Sequence, residues 1–229
     1  MIRAASSLAR EARTALRVGV FGGSFDPPHV GHRRMARAAF DGCSLEHLIW
    51  IPAARPPHKE GRELAAGADR ARMIELMLAE DPLADGPAAE SIWTVELERS
   101  GPSYTVDTLR QLVPELAPRH ELHLLVGTDN LPGLGSWREI DAILALARPI
   151  VLPRTLPGEA AGDFDLEACL GGLSEASRAR VRAGLLDCPR INVGSTALRE
   201  RLADGGDPGD ALLPSVRAYI REAGLYRAG

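Results

Sequence analysis

The sequence predicts an α/β fold: a doubly wound, parallel β-sheet with helices on both faces. Three observations predict it. Short apolar runs that read as buried strands alternate with stretches of helical periodicity. The chain has 229 residues, 45% of them hydrophobic, enough for one sizeable core rather than two. The glycine-, histidine- and acid-containing motifs fall just after predicted strands, where ligands sit in such sheets.

Arg17–Gly22 reads as a short buried strand that ends in a Gly-Gly turn. Val30–Phe40 reads as a helix, with Met35, Ala36, Ala39 and Phe40 at core spacing. His47–Ile51 is a second strand, closed by Pro52, and Asp69–Glu80 a second helix with Met73, Ile74 and Met77 among its apolar positions. Ser91–Leu97 is expected as a strand, Tyr104–Leu116 as a helix and Glu121–Val126 as a strand. Ser136–Ala147 is expected to be helical and Pro149–Leu152 extended. Thr155–Arg190 is the least patterned region and reads as a helical insertion. Arg190–Val193 is expected as a last strand, with helices over Ser195–Leu202 and Pro214–Ala223.

Residues 1–16 stand apart as an N-terminal extension, open to disorder, with the single domain expected over 17–229. Residues 1–17 carry four arginines, two serines and one acid, which weakly resembles a transit peptide, and they lack a secretory apolar stretch. The formal charge is −4, so no basic balance advertises nucleic acid as a partner. Cys43, Cys169 and Cys188 are widely spaced and odd in number, which fits a reducing cytoplasm rather than a disulfide framework or cysteine zinc site. No apolar run approaches the roughly 18–20 residues that cross a bilayer, so no membrane partner is expected. The sequence leaves the oligomeric state open, a homodimer included.

The string Gly22-Gly23-Ser24-Phe-Asp-Pro-Pro-His29-Val-Gly31-His32 leaves a strand and enters a helix. Glycines allow close backbone approach, and a helix start offers unpaired N–H groups and a positive dipole end, suited to phosphate. His29 and His32, three apart, share a face on the first turn, and Gly31 leaves room above it. Two imidazoles and the Ser24 hydroxyl can then donate to one phosphoryl group, stabilising charge on a transferred phosphorus. An anion nearby would favour protonation of one imidazole. HxxH alone would equally describe two surface histidines on a capped helix, and no third ligand at motif spacing supports zinc.

The string resembles the signature of the HxGH nucleotidyltransferases, and specifically that of bacterial nicotinate mononucleotide adenylyltransferases, GG(T/S)FDPxHxGH. The resemblance runs from about Val18 to Tyr226 and is weakest near 155–190. It implies a Rossmann-like fold and ATP with Mg2+ and nicotinate mononucleotide as substrates. It also implies direct attack, without a covalent enzyme intermediate, to give nicotinate adenine dinucleotide and pyrophosphate. His29, His32, Ser24 and Arg199 take the catalytic roles by this likeness, with no metal ligand among the residues. Gly22, Gly23, Gly127, Asp129, Ser195 and Thr196 join them around ATP.

Other segments extend the match. Ile51–Lys59 resembles IPxxxPPHK, with Lys59 as a cation for nucleotide phosphate, although a rigid surface loop would look the same. Glu96–Thr108 is close to ELxRxGPSYTxDTL; Ser-Tyr-Thr would cap a helix, and the family adds pyridine-nucleotide contacts from Thr105. Gly127-Thr-Asp129 resembles a turn whose acid suits ribose hydroxyls or a magnesium shell, or caps a helix. Trp137 matches a tryptophan that packs by the pyridine ring; beside it stands Arg138 where the family often has tyrosine. An arginine there could favour a carboxylate. Val193–Arg199 resembles ISxTxxR: Thr196 and Arg199 match, whereas Gly194 replaces the leading serine, with Ser195 beside it.

His120 and His123 point to opposite faces of a strand and make a poor metal pair. A tRNA-charging enzyme of the same superfamily would need a two-lysine loop, and Lys59 is the one lysine. GxGxxG is absent, against a hydride-transferring dinucleotide binder. Another HxGH adenylyltransferase, or a non-catalytic nucleotide sensor on the same fold, remains as an alternative.

Overall fold

The computed structural model describes residues 4–54, 64–84, 89–154 and 165–227. The chain opens with a two-residue strand, β1 (Ala4–Ala5), and a short helix, α1 (Arg10–Thr14). β2 (Arg17–Gly23) leads into α2 (Val30–Gly42), followed by β3 (His47–Pro52) and α3 (Gly67–Glu80). Next come β4 (Glu90–Trp93), the single turn α4 (Val95–Glu98), α5 (Thr105–Leu112) and β5 (Glu121–Gly127). α6 (Leu131–Leu134) and α7 (Ile140–Leu146) precede β6 (Arg148–Leu152). The order ends with α8 (Leu166–Cys169), α9 (Glu175–Ala183), α10 (Ser195–Ala203) and α11 (Pro214–Glu222).

The six strands form one sheet in the order β1-β4-β3-β2-β5-β6, with every pair parallel. Side chains alternate across it, as strand geometry requires. Val18 and Val20, Ile49 and Ile51, Leu122, Leu124 and Val126 enter one apolar layer, with Val106, Leu109 and Ile143 from α5 and α7. Phe21, Leu48, Trp50, Leu125 and Ile150 enter the other, with Met35, Met73, Leu198 and Val216 from α2, α3, α10 and α11. Burial on both faces explains why the strands read as continuous apolar runs. Gly19 sits where a Cβ would come within 2.7 Å of the Leu45 and Leu48 methyls, so its absence lets these two side chains pack over β2.

Four expected elements are corrected, and the N-terminal segment shows structure of its own. The segment set apart as an extension contributes to the fold in its described part. β1 adds to the sheet edge beside β4, and Ala12 and Ala15 are buried against the core, since their small apolar faces fit between α1 and the sheet. The strand expected over 91–97 stops at Trp93. The Thr94 N–H still bonds the Ala5 carbonyl, and the chain then turns as α4, bringing Glu96 to the Thr108 hydroxyl. The helix expected from Ser136 starts only at Ile140, because Glu139 adopts a left-handed φ of 54°. Arg190–Val193 is not a strand: a single bridge joins Ile191 to Arg154, and the Val193 carbonyl accepts from the Arg154 guanidinium instead. The helix over 104–116 narrows to a 3-10 turn at Val113–Glu115, where Pro114 lacks an N–H.

Candidate active site

The strand order reverses at β2. From there the chain winds outward through β3 and β4, then returns to place β5 on the other side. β2 pairs with β5 only from Arg17 to Val20. Beyond Val20 the two strands part, and their carboxyl ends open a cavity of about 800 Å³ between them.

Gly22, Gly23 and Ser24 line that cavity at the end of β2. A Cβ on Gly22 would meet nothing within 4 Å, so its backbone borders open space. The turn then runs through Phe25 at a left-handed φ of 46°. That conformation costs roughly 1–2 kcal/mol. Burial of the ring against Phe21, Trp50 and His32 offsets it, being worth about 1.5–3 kcal/mol for a phenylalanine. Arg70 holds the turn from α3, its Nη1 donating to the Ser24 and Ala53 carbonyls at 2.7 Å each.

His29 and His32 stack, ring centroids 3.7 Å apart. The His29 N–H donates to His32 Nδ1 at 3.1 Å, so a neutral His32 ring carries its proton on Nε2. His32 lines the cavity; His29 lies behind it, 1% exposed, and is not part of the cavity wall. Neither ring nitrogen of His29 has a hydrogen-bond partner among the described residues. Burial, with the nearby Arg154 cation as a second cause, lowers its pKa from 6.5 to about 3. In the absence of an anion His29 is therefore neutral. Gly31 is needed here, because a Cβ would stand 2.8 Å from His29 Nδ1.

At the end of β5, Gly127 and Asp129 border the cavity. Asp129 does not cap a helix; its Oδ2 accepts from Arg154 Nη1 at 2.7 Å. A Cβ on Gly127 would lie 2.3 Å from Asp129 Oδ1, so this ion pair fits only over a glycine. Arg154 also donates through Nη2 to the Val193 carbonyl at 2.8 Å, joining β6 to the entry of α10.

The start of α10 brings Ser195, Thr196 and Arg199 to the same cavity. Arg199 Nη2 donates to Thr196 Oγ1 at 3.1 Å, and its Nη1 donates to the Asp26 carbonyl. The Ser195 hydroxyl donates to the Pro27 carbonyl at 3.1 Å, tying α10 to the motif turn. A Cβ on Gly194 would meet nothing within 4 Å.

Thr105, Trp137 and Arg138 line the same cavity. The helix start at Tyr104 has no side-chain cap; the Ser103 hydroxyl instead accepts from the Ala54 N–H at 3.3 Å. Arg138 lies over the Tyr104 ring, 4.8 Å from its centroid, with Asp107 Oδ2 3.4 Å from its Nη1. Glu96 also lines the cavity, bonded by the Thr108 hydroxyl at 2.7 Å; burial holds its carboxyl above the usual range. Lys59 lies outside the described residues.

Apart from Lys59, the expected site residues converge on one cavity, with His29 directly behind its wall. Sequence reasoning missed Arg154, although it stands just past the end of β6, where the rule that led to the other motifs also applies. Asp26, Tyr226 and Arg70 carry no mark of a role in the sequence. Their contacts span up to 200 residues and leave no local spacing to read. Among the described residues no three acids, histidines or cysteines converge to hold a metal ion, and no helix is long and apolar enough to cross a membrane.

Comparison with known proteins gives the family and the fold. The family described as cytidylyltransferase-like matches residues 20–201. A relative from Gloeobacter violaceus, named a probable nicotinate-nucleotide adenylyltransferase, is 42% identical over 92% of this chain and 96% of its own. One of the same name from Geobacillus kaustophilus is 35% identical over 93% and 87%. Among solved structures, Plasmodium falciparum nicotinic acid mononucleotide adenylyltransferase complexed with NaAD superposes with a TM-score of 0.65 at 19% identity. It covers 92% of this chain and 97% of that one, which supports the fold. The chain belongs to the cytidylyltransferase-like family and, within it, to the nicotinate-nucleotide adenylyltransferases.

Proposed function

We propose that this cavity transfers the adenylyl group of ATP to the phosphate of nicotinate mononucleotide, as its family does, with the residues above in the following roles. A phosphate oxygen of the mononucleotide attacks the α-phosphorus of ATP. The bond from that phosphorus to the β-bridging oxygen breaks, and pyrophosphate leaves with the electron pair. Such a reaction needs in-line placement and compensation of charge, with little covalent help from protein. The observation that carries this reading is the convergence of His32, Thr196 and Arg199 on the crevice where β2 and β5 part, with Trp137 in the same cavity wall.

His32 donates from Nε2 to the transferred phosphoryl group, and Arg199 and Thr196 donate to the phosphates beside it. The N–H groups at the starts of α2 and α10 add further donors. His29 backs His32 and gives its unpartnered nitrogens a use once an anion arrives, since a buried polar group without a partner costs about 1–3 kcal/mol. Mg2+ enters with the nucleotide as MgATP. Asp129, on the cavity wall after β5, is already engaged by Arg154, and nothing among the described residues builds a separate cage. Trp137 offers stacking area to the pyridine ring. Arg138 at its side favours the carboxylate of nicotinate over the amide. Three cysteines that form no disulfide suit a reducing cytoplasm.

The test is a paired assay: purified protein and MgATP with nicotinate mononucleotide, and separately with nicotinamide mononucleotide, following dinucleotide and pyrophosphate. Product mainly from the acid supports the reading. Equal use of both would keep the enzyme class and remove the role of Arg138 in choosing the acid. No product from either would favour a nucleotide sensor, with Gly194 the first position to restore to serine.

A further inference from the structure

Asp26 lies in the motif turn and is fully buried. Its Oδ1 accepts from the Tyr226 hydroxyl at 2.7 Å and from the Ala65 N–H at 3.2 Å. Its Oδ2 accepts no hydrogen bond among the described residues and faces Arg199 Nη1 at 3.6 Å. Arg199 itself is held by the Asp26 main-chain carbonyl and Thr196 Oγ1. One buried carboxylate thus stands between a tyrosine from the end of the fold and the arginine that faces nucleotide phosphate.

Tyr226 reaches this place at some cost. It follows α11 through a turn closed by the Leu225 N–H on the Ile220 carbonyl, and its own φ is 60°, in the left-handed region that tyrosine rarely adopts. Local contacts with α11 do not call for a hydroxyl there. Burial and the adjacent Asp26 carboxylate raise its pKa far above the ordinary phenol value, so it stays a donor throughout the working pH range.

We propose that Tyr226 is a positioning residue for adenylyl transfer: by holding Asp26 Oδ1, it keeps the carboxylate from closing on Arg199 as a two-pronged ion pair. Without the hydroxyl, Asp26 loses a donor in a buried place, and the nearest charged donor it faces is Arg199. A carboxylate that accepts two guanidinium N–H groups takes them from the phosphate. The proposal rests on the reading of Arg199 as a phosphate contact, and the experiment separates the two.

Tyr226→Phe, Arg199→Ala and the double variant are titrated with MgATP alone by calorimetry, and each with nicotinate mononucleotide alone. Tyr226→Phe is expected to weaken ATP binding about tenfold, the worth of one hydrogen bond to a charged group, and to leave mononucleotide binding unchanged. In the Arg199→Ala background the same change should add nothing. If Arg199→Ala leaves ATP affinity unchanged, the phosphate reading of Arg199 fails and the proposal falls with it. If Arg199→Ala weakens ATP binding but Tyr226→Phe does not, or does so equally in both backgrounds, the proposal alone is overturned. Should Tyr226→Phe fold poorly, Asp26→Asn serves as the second probe, since an amide cannot neutralise Arg199. It is expected to bind ATP at least as tightly as the parent, and weakening would contradict the mechanism.

Discussion

His29 and Arg33 sit one turn apart at the start of α2, and both are buried, 1% and 3% exposed. Their surroundings are opposite. Arg33 donates to Glu90 Oε1 at 2.6 Å and to the Asp81 carbonyl, while Glu90 also accepts from Trp50 Nε1 at 3.0 Å and the Leu83 N–H at 2.9 Å. His29 has no partner for either ring nitrogen among the described residues. A buried polar group that is bonded on several sides locks the elements around it; one left without partners is a place where the fold expects something else to supply them. The Arg33 cluster fastens α2 to β4 and to the end of α3. His32 faces the crevice with His29 stacked behind it, and in the proposed function a bound anion completes the pair.

The comparison can be broken at either end. His32→Ala should lower kcat about 10²–10³-fold, while stability falls by only about 1 kcal/mol for the lost bond from the His29 N–H; steady-state kinetics with urea unfolding checks both. Arg33→Met should do the reverse. It leaves Glu90 buried without its cation, which costs about 3–5 kcal/mol, yet kcat per folded molecule should stay near the parent value.

A smaller effect is expected with pH. The His29 pKa is lowered by burial to about 3, and unfolding restores it toward 6.5. Between those values the unfolded chain binds a proton that the native chain does not. The stability contributed is therefore full above about pH 6.5 and is lost as pH falls toward 3. From pH 7 to pH 5 the parent should lose about 2 kcal/mol more than His29→Asn, measured by denaturant curves at both values. His123, also lowered by burial, is present in both proteins and cancels in that difference. The smallest change is expected from Gly194→Ser. The site has space for the side chain, so the fold should be unaffected and ATP affinity should rise about tenfold, the lower end of what one charged hydrogen bond contributes.

Most strands and the motif turn were legible because buried parallel strands leave apolar runs, and phosphate-binding turns need glycine and helix starts at fixed spacing. Val18, Ile49 and Leu124 announced their strands; Gly22 to His32 announced the site. The boundaries that failed were set by tertiary contacts. Glu96 leaves the sheet for Thr108, and Glu139 is turned by a left-handed backbone and held by Arg110 at 2.6 Å. Val193 gives its carbonyl to Arg154 instead of to a neighbouring strand. The sequence also placed His29 and His32 on a shared face, but not one behind the other. That follows from how Gly31 lets the rings stack, a matter of packing rather than spacing.

The most direct test of the histidine pair is imidazole NMR of His29 during titration with MgATP. Assignment is secured by His29→Asn and His32→Ala. The expected result is a shift of the His29 ring resonances that saturates with ATP, together with a pKa that rises from about 3 because a bound anion favours the protonated ring. ATP that binds with equal affinity while the His29 ring and its titration stay unchanged would show that the unpartnered nitrogens do not await phosphate.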